Sequence, residues 1–325
     1  MKHIVFTLCI LFFFGCKYST RENQISHLDS LSVLLDKDSL NIGLLKQRAS
    51  SYLENNELDL ARKDIDAAYA IFKNDIELLL IRGDLYYKLN QTRISKESWE
   101  RCVKLDPNNI RCRTNLTELL CAVKDRNCKA MIDTLSLLNN GLLSIPLIAY
   151  LKELREYDSA ILALNHLVEI DPNDKEILSL FSVIYSDTSG FNTYFNSDLA
   201  EEYFKKIINL YPEDFQVYYN FGKHKQNLLQ YSQALEYYNI AVNIDATKKQ
   251  NYYNMGFCSM QLKDYDNSIA YFTKAIALDN SFLMGYHARA YVHELSGNSA
   301  KANIDWKNCL MLNPSYIPAL EGLNK

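Results

Sequence analysis

The chain has 325 residues, of which 48% are hydrophobic and 23% charged, a composition that supplies a buried core and excludes a disordered polypeptide. Its formal net charge is -4, and no block of lysine or arginine stands out, so the electrostatic footprint of a nucleic-acid-binding protein is absent.

The chain opens with Met1, Lys2 and His3, runs apolar from Ile4 to Phe14, and turns polar directly after Gly15 and Cys16. This charged, apolar, small-residue order is that of an export signal. The apolar run is about half of the ~20 residues that a spanning helix needs, so it predicts no transmembrane anchor. Phe13, Phe14, Gly15 and Cys16 resemble the lipobox of bacterial lipoproteins. The resemblance implies a signal peptide over 1–15, cleavage before Cys16 and lipidation of that cysteine. No aspartate follows Cys16, and the next residues Lys17 and Tyr18 open no acidic run. The expectation is a lipid-anchored protein of the cell envelope, on the outer membrane facing the periplasm.

Residues 16–41 are polar apart from one apolar cluster, Leu31 to Leu35, and read as a tether holding one short helix. Beyond it the sequence repeats itself. Tyr218, Phe221 and Gly222 recur as Tyr252, Met255 and Gly256, then as Tyr286, Arg289 and Ala290. Later in each unit Ala234, Tyr238 and Ala241 recur as Ser268, Phe272 and Ala275, then as Ala302, Trp306 and Cys309. Small, large aromatic, small at spacings of four and three marks one helical face. Polar residues or prolines then close each unit, as at Pro107, Pro172, Pro212 and Pro314.

This pattern resembles the tetratricopeptide repeat family. The resemblance implies an all-α fold, a right-handed α-solenoid of about eight helix-turn-helix repeats. The units are 42–75, 76–109, 110–140, 141–174, 175–214, 215–248, 249–282 and 283–316, with a capping helix over 317–325. Two units break the pattern: 110–140 is short, and 175–214 holds extra residues around Ser186 to Ser197. That insertion places Phe191, Tyr194 and Phe195 in a loop between helices, where they either form a contact site or fold back over the neighbouring pair.

Cys102, Cys112, Cys121 and Cys128 crowd around the short unit, and export would expose them to an oxidising compartment. Three pairings are open, and so is a role for Cys102 as a small buried residue. The scattered glycines provide no phosphate-binding loop, and His166 with Glu169 has no further ligand nearby, so no cofactor, metal or catalytic constellation is expected.

Family members hold peptides or helices against the first helix of each repeat, on the concave wall. Carried onto this chain, the resemblance points to Tyr219, Lys223, Tyr253, Phe257, His287 and Tyr291 as partner-binding residues. Tyr219 and Tyr253 stand where the family's carboxylate clamp needs lysine, which disfavours a chaperone adaptor. The function expected is a membrane-anchored scaffold binding a protein or peptide partner of an envelope assembly, not nucleic acid and not a substrate to be turned over. The alternative is a lipoprotein for glycan or polysaccharide capture or export.

Overall fold

The structure, a computed structural model, describes residues 27–324, so the signal peptide and Cys16 lie outside the described residues. The described chain is an all-α helical repeat solenoid with no strand. It divides into two compact units, one ending at Leu147 and the other beginning at Ile148. In the first unit the helices are 27–37 (α1), Ile42–Glu54 (α2), Leu58–Ile71 (α3), Ile76–Lys88 (α4), Thr92–Leu105 (α5), Ile110–Ala122 (α6) and Cys128–Leu138 (α7). Helix Ile145–Glu153 (α8) lies across the boundary. The second unit continues with Tyr157–Ile170 (α9), Lys175–Ser186 (α10), Ser197–Leu210 (α11), Phe215–Asn227 (α12), Tyr231–Ile244 (α13) and Lys249–Gln261 (α14). It ends with Tyr265–Leu278 (α15), Leu283–Leu295 (α16), Ser299–Leu312 (α17) and Ile317–Leu323 (α18).

The helix boundaries follow from local chemistry. Asn41, Asp75, Asn109, Asp174 and Asp214 each precede a first helix, and each accepts a backbone N–H of its first turn. At the other end Asp106, Asp171, Asp245, Asp279 and Asn313 adopt extended backbone and stop the second helix.

Within a repeat, the small residue of the first helix seats the aromatic ring of the second. A Cβ added to Gly222 would lie 2.7 Å from the Tyr238 ring, and one on Gly256 would lie 2.7 Å from Phe272. Gly83 receives Trp99 in the same way, with 2.2 Å to the indole nitrogen. The glycines are therefore there to let two helices approach, as their spacing predicts.

Three places depart from the regular repeat. Helix α1, the one short helix expected before the repeats, is packed on them: Leu31 and Leu35 are buried, and Arg48 of α2 donates to Ser32 at 3.2 Å. The reason is that those two leucines are four apart on one face and so pack on the first hairpin. The fourth repeat's first helix starts at Ile145, because Gly141 takes a positive φ of 81° and ends the preceding turn there. The short unit, α6 and α7, has neither a glycine nor an aromatic ring in its two helices. Disulfides bind it instead: Cys121–Cys128 closes the α6–α7 turn with Cα atoms 5.0 Å apart, and Cys102–Cys112 joins α5 to α6 with Cα atoms 6.2 Å apart.

Candidate functional site

The column of first-helix aromatics in the second unit is largely engaged in packing. Tyr253 is half-buried between Phe272 and Phe282, with ring centroids 5.5 and 5.4 Å away. Phe257 meets Tyr231 edge-on, and Tyr219 stacks on Phe215 while accepting from the Asn254 amide at 3.2 Å. His287 stands against Trp306 and bonds the Tyr316 hydroxyl at 2.8 Å, linking α16 to the start of α18. Of the six positions only Lys223 and Tyr291 are exposed. The rings there pack mainly against second-helix and turn residues of their own and neighbouring repeats.

An open cleft of about 450 Å³ lies instead where α8, α10 and α12 come side by side. Lys152 comes from α8, Val183 and Ser186 from α10, Asp187 from its C-terminal end, and Asn220, Lys223, His224 and Asn227 from α12. Residues 220, 223, 224 and 227 share one face of α12 because they are spaced by three and four. Neither Lys152 nor Lys223 has an ion-pair partner among the described residues.

The cleft's other titratable groups are fixed by their neighbours. Burial would raise the Asp187 carboxyl, but the Tyr157 hydroxyl and the Ser189 amide both donate to it and hold it below the usual carboxylate range. It stays ionised with both oxygens occupied. His224 is 1% exposed, and burial pushes its imidazole below the ordinary histidine range, against the opposing pull of Glu201. Its Nε2 lies 3.2 Å from the Ser197 hydroxyl. Beside it Lys225 is buried and pairs with Glu201 at 2.6 Å. The open face of the cleft thus presents two free ammonium groups and two side-chain amides, an arrangement that binds carboxylate or backbone carbonyl oxygens.

The inserted loop starts at the cleft, from Asp187. Asn192 is buried and donates its amide to the Ile184 and Asp187 carbonyls at 2.6 and 3.0 Å. Tyr194 donates its hydroxyl to Asp158 at 2.8 Å, so this aromatic does fold back on α9. Phe191 does not: it is 73% exposed, with the Arg155 guanidinium 4.9 Å from its ring centre, and Phe195 is also exposed.

Lys152, Asn220 and Asn227 are absent from the sequence expectation, which follows the aromatics down each first helix. The signal for Asn220 and Asn227 is the same helical spacing that leads to Lys223, read one residue to the side. Lys152 has no comparable signal, since its repeat is the one whose first helix starts late. Among the described residues no group of three or more histidines, cysteines or acids is placed to hold a metal ion.

The tetratricopeptide repeat model matches residues 76–109 and 250–282. Human RNA polymerase II-associated protein 3 is 26% identical over 105 residues, which cover 32% of this chain and only 16% of that protein. Among solved structures, MamA superposes with a TM-score of 0.46 at 22% identity, over 51% of this chain and 94% of that one. The APC/C hetero-tetramer Cut9–Hcn1 gives 0.45 at 16% identity, over 93% of this chain and 52% of that one. YrrB, described as a TPR protein with an unusual peptide-binding site, gives 0.43 at 16% identity, over 71% of this chain and all of that one. The chain thus carries tetratricopeptide repeats in the two matched stretches.

Proposed function

We propose that the protein is a lipid-anchored scaffold of the bacterial cell envelope that holds a protein partner of an envelope assembly against the first helices of its second unit. The observation that carries the binding part is the cleft at α8, α10 and α12, where α8 and α12 offer donors without ion-pair partners on either side of α10. Repeat arrays expose such continuous faces to partners, and each repeat adds to the binding surface without needing a closed pocket. The anchoring part rests on the lipobox-like Phe13–Cys16 stretch, and two disulfides around the short repeat accord with an exported chain.

Two measurements test the two parts separately. Metabolic labelling with a radioactive fatty acid should mark the wild type and not Cys16→Ser, and the wild type should fractionate with outer membranes. Labelling of both forms or of neither would remove the anchor. For the binding part, in-cell crosslinking should recover one specific protein with the wild type and lose it when Lys152 and Lys223 are both changed to Glu. Unchanged recovery would move the site away from the cleft.

A further inference from the structure

We infer that the partner segment carries a carboxylate side chain close to an apolar one, the carboxylate seated between Lys152 and Lys223 and the apolar group against Phe191 on the inserted loop. This rests on the scaffold reading and adds to it the chemistry of the partner and a second wall that the regular repeats lack.

The carboxylate follows from what the cleft leaves unsatisfied. Lys152 and Lys223 have no ion pair among the described residues; the single carboxylate in the lining, Asp187, accepts from Tyr157 and Ser189 and feels the Lys152 charge only from beyond ion-pair distance. Asn220 accepts from Gln216 through its oxygen at 2.9 Å, which leaves its amide nitrogen as a donor. A ligand must therefore supply acceptors and negative charge, and a lysine or arginine side chain would be repelled.

The apolar neighbour follows from the loop. Its conformation is fixed at both ends and in the middle: Asn196 donates its backbone N–H to Tyr185 at 2.9 Å, and Asn192 to Ser189 at 3.0 Å. The Asn192 side chain, itself buried, bonds Ile184, Asp187 and Tyr194. All these bonds hold an exposed ring in place, although that ring contributes little to the core. A ring ordered in advance costs no further entropy on binding, the property that makes aromatic anchors effective. Arg155 on the ring's face adds a cation beside it.

The two subsites are continuous along the chain. Lys152 lies in the last turn of α8, whose following turn carries Arg155, and Asp187 in the cleft begins the loop whose apex is Phe191. A short extended segment can touch both.

The test is selection of a phage-displayed library of random peptides of about twelve residues against the full-length chain in detergent. Enriched peptides should share Asp or Glu within a few positions of Leu, Ile or Phe. For the best peptide, Lys152→Gln with Lys223→Gln should weaken binding by about tenfold and reduce its salt dependence. Phe191→Ala should weaken it by about fivefold while leaving the salt dependence intact. Phe191 is exposed, so this variant folds. Enriched peptides without an acid, or ones indifferent to Phe191→Ala, would overturn the inference while leaving a binding scaffold in place. No enrichment at all would overturn the scaffold reading and this inference with it.

Discussion

Arg289 of α16 and Asp305 of α17 form a two-pronged ion pair, with Nε and Nη2 lying 2.8 and 2.7 Å from the two carboxylate oxygens, at a site where Asp305 is 2% exposed. Arg289 also donates to Thr273 of the preceding hairpin at 2.9 Å. The first repeat builds the same clamp, with Arg48 on Asp64 and on Ser32. In the repeat at 215–248 the equivalent residues are Phe221 and Tyr237, stacked with ring centres 4.0 Å apart. One helix-to-helix position is thus filled either by a pair of charges or by a pair of rings.

Removing one charge of such a pair leaves the other buried without a partner. Asp305→Ala should therefore cost about 3 kcal/mol or more of stability, whereas Arg289→Met with Asp305→Leu should recover most of the loss. Urea unfolding of Arg289→Met, Asp305→Leu and the double variant measures the coupling between them. A double variant as unstable as the sum of the singles would show that the ion pair contributes no pairwise energy.

The ring seats give a second expectation. Gly222→Ala places a methyl against the Tyr238 ring, which is wholly buried and cannot move aside, so the variant should lose about 1–3 kcal/mol. Gly190→Ala meets nothing within 4 Å and serves as the control, with a change under about 0.5 kcal/mol. Equal midpoints for the two variants in thermal unfolding would mean that the hairpin opens at little cost.

Much of the fold is legible in the sequence because its cause is local and repeated. Gly222 predicts the seat for Tyr238, and Asp75 or Asp214 predicts where a helix starts, from residues close along the chain. The packing of Leu31 and Leu35 is also written in their spacing, yet only contact with α2 separates a folded helix from one in a tether. The cleft is harder to read. Lys152, Asp187 and Asn220 belong to three repeats, two of them irregular, and whether a lysine is free or paired depends on neighbours the periodicity does not specify. The aromatic column illustrates the converse, because Tyr253 and His287 occupy the expected face and are nonetheless half-covered by Phe282 and Tyr316.

The disulfides should behave as staples rather than switches. All four sulfur-bearing residues are buried, so a mild reductant should leave them intact in the folded protein and reach them only after denaturation. Free Cys258 and Cys309 are buried as well, and burial pushes their thiols up to about 12 and about 11, so alkylation of the native chain should be slow at every described cysteine. Cys121→Ser with Cys128→Ser should cost about 2–4 kcal/mol. Hydrogen exchange should quicken first in α6 and α7, where no ring seat substitutes for the bond. Exchange that rises evenly along the chain would contradict this local role.

Acid should weaken the second unit in two stages. Burial holds His224, His287 and His293 below the ordinary histidine value of 6.5, so each takes up a proton less readily in the folded chain than in the unfolded one. Stability from this source is complete above about pH 6.5 and declines as pH falls below it, because the unfolded state binds more protons there. The second stage belongs to Asp187, Asp214 and Glu201. Burial would raise all three, but hydrogen bonds from Tyr157 to Asp187, from Lys175 to Asp214 and from Lys225 to Glu201 lead the opposing effects that hold them below their ordinary values. Their contribution is present above about pH 4 and is lost only as pH drops through the lowered folded values. The sharpest check is the change in unfolding free energy between about pH 7.5 and about pH 5.5, where only the histidines titrate appreciably. His224 faces Ser197, Glu201 and Lys225, so His224→Gln removes one titrating group while keeping a polar side chain there. The variant should show a smaller change over that interval than the wild type, whatever its absolute stability. An identical change would mean that His224 is solvated in both states and that the α11–α12 packing does not hold it neutral.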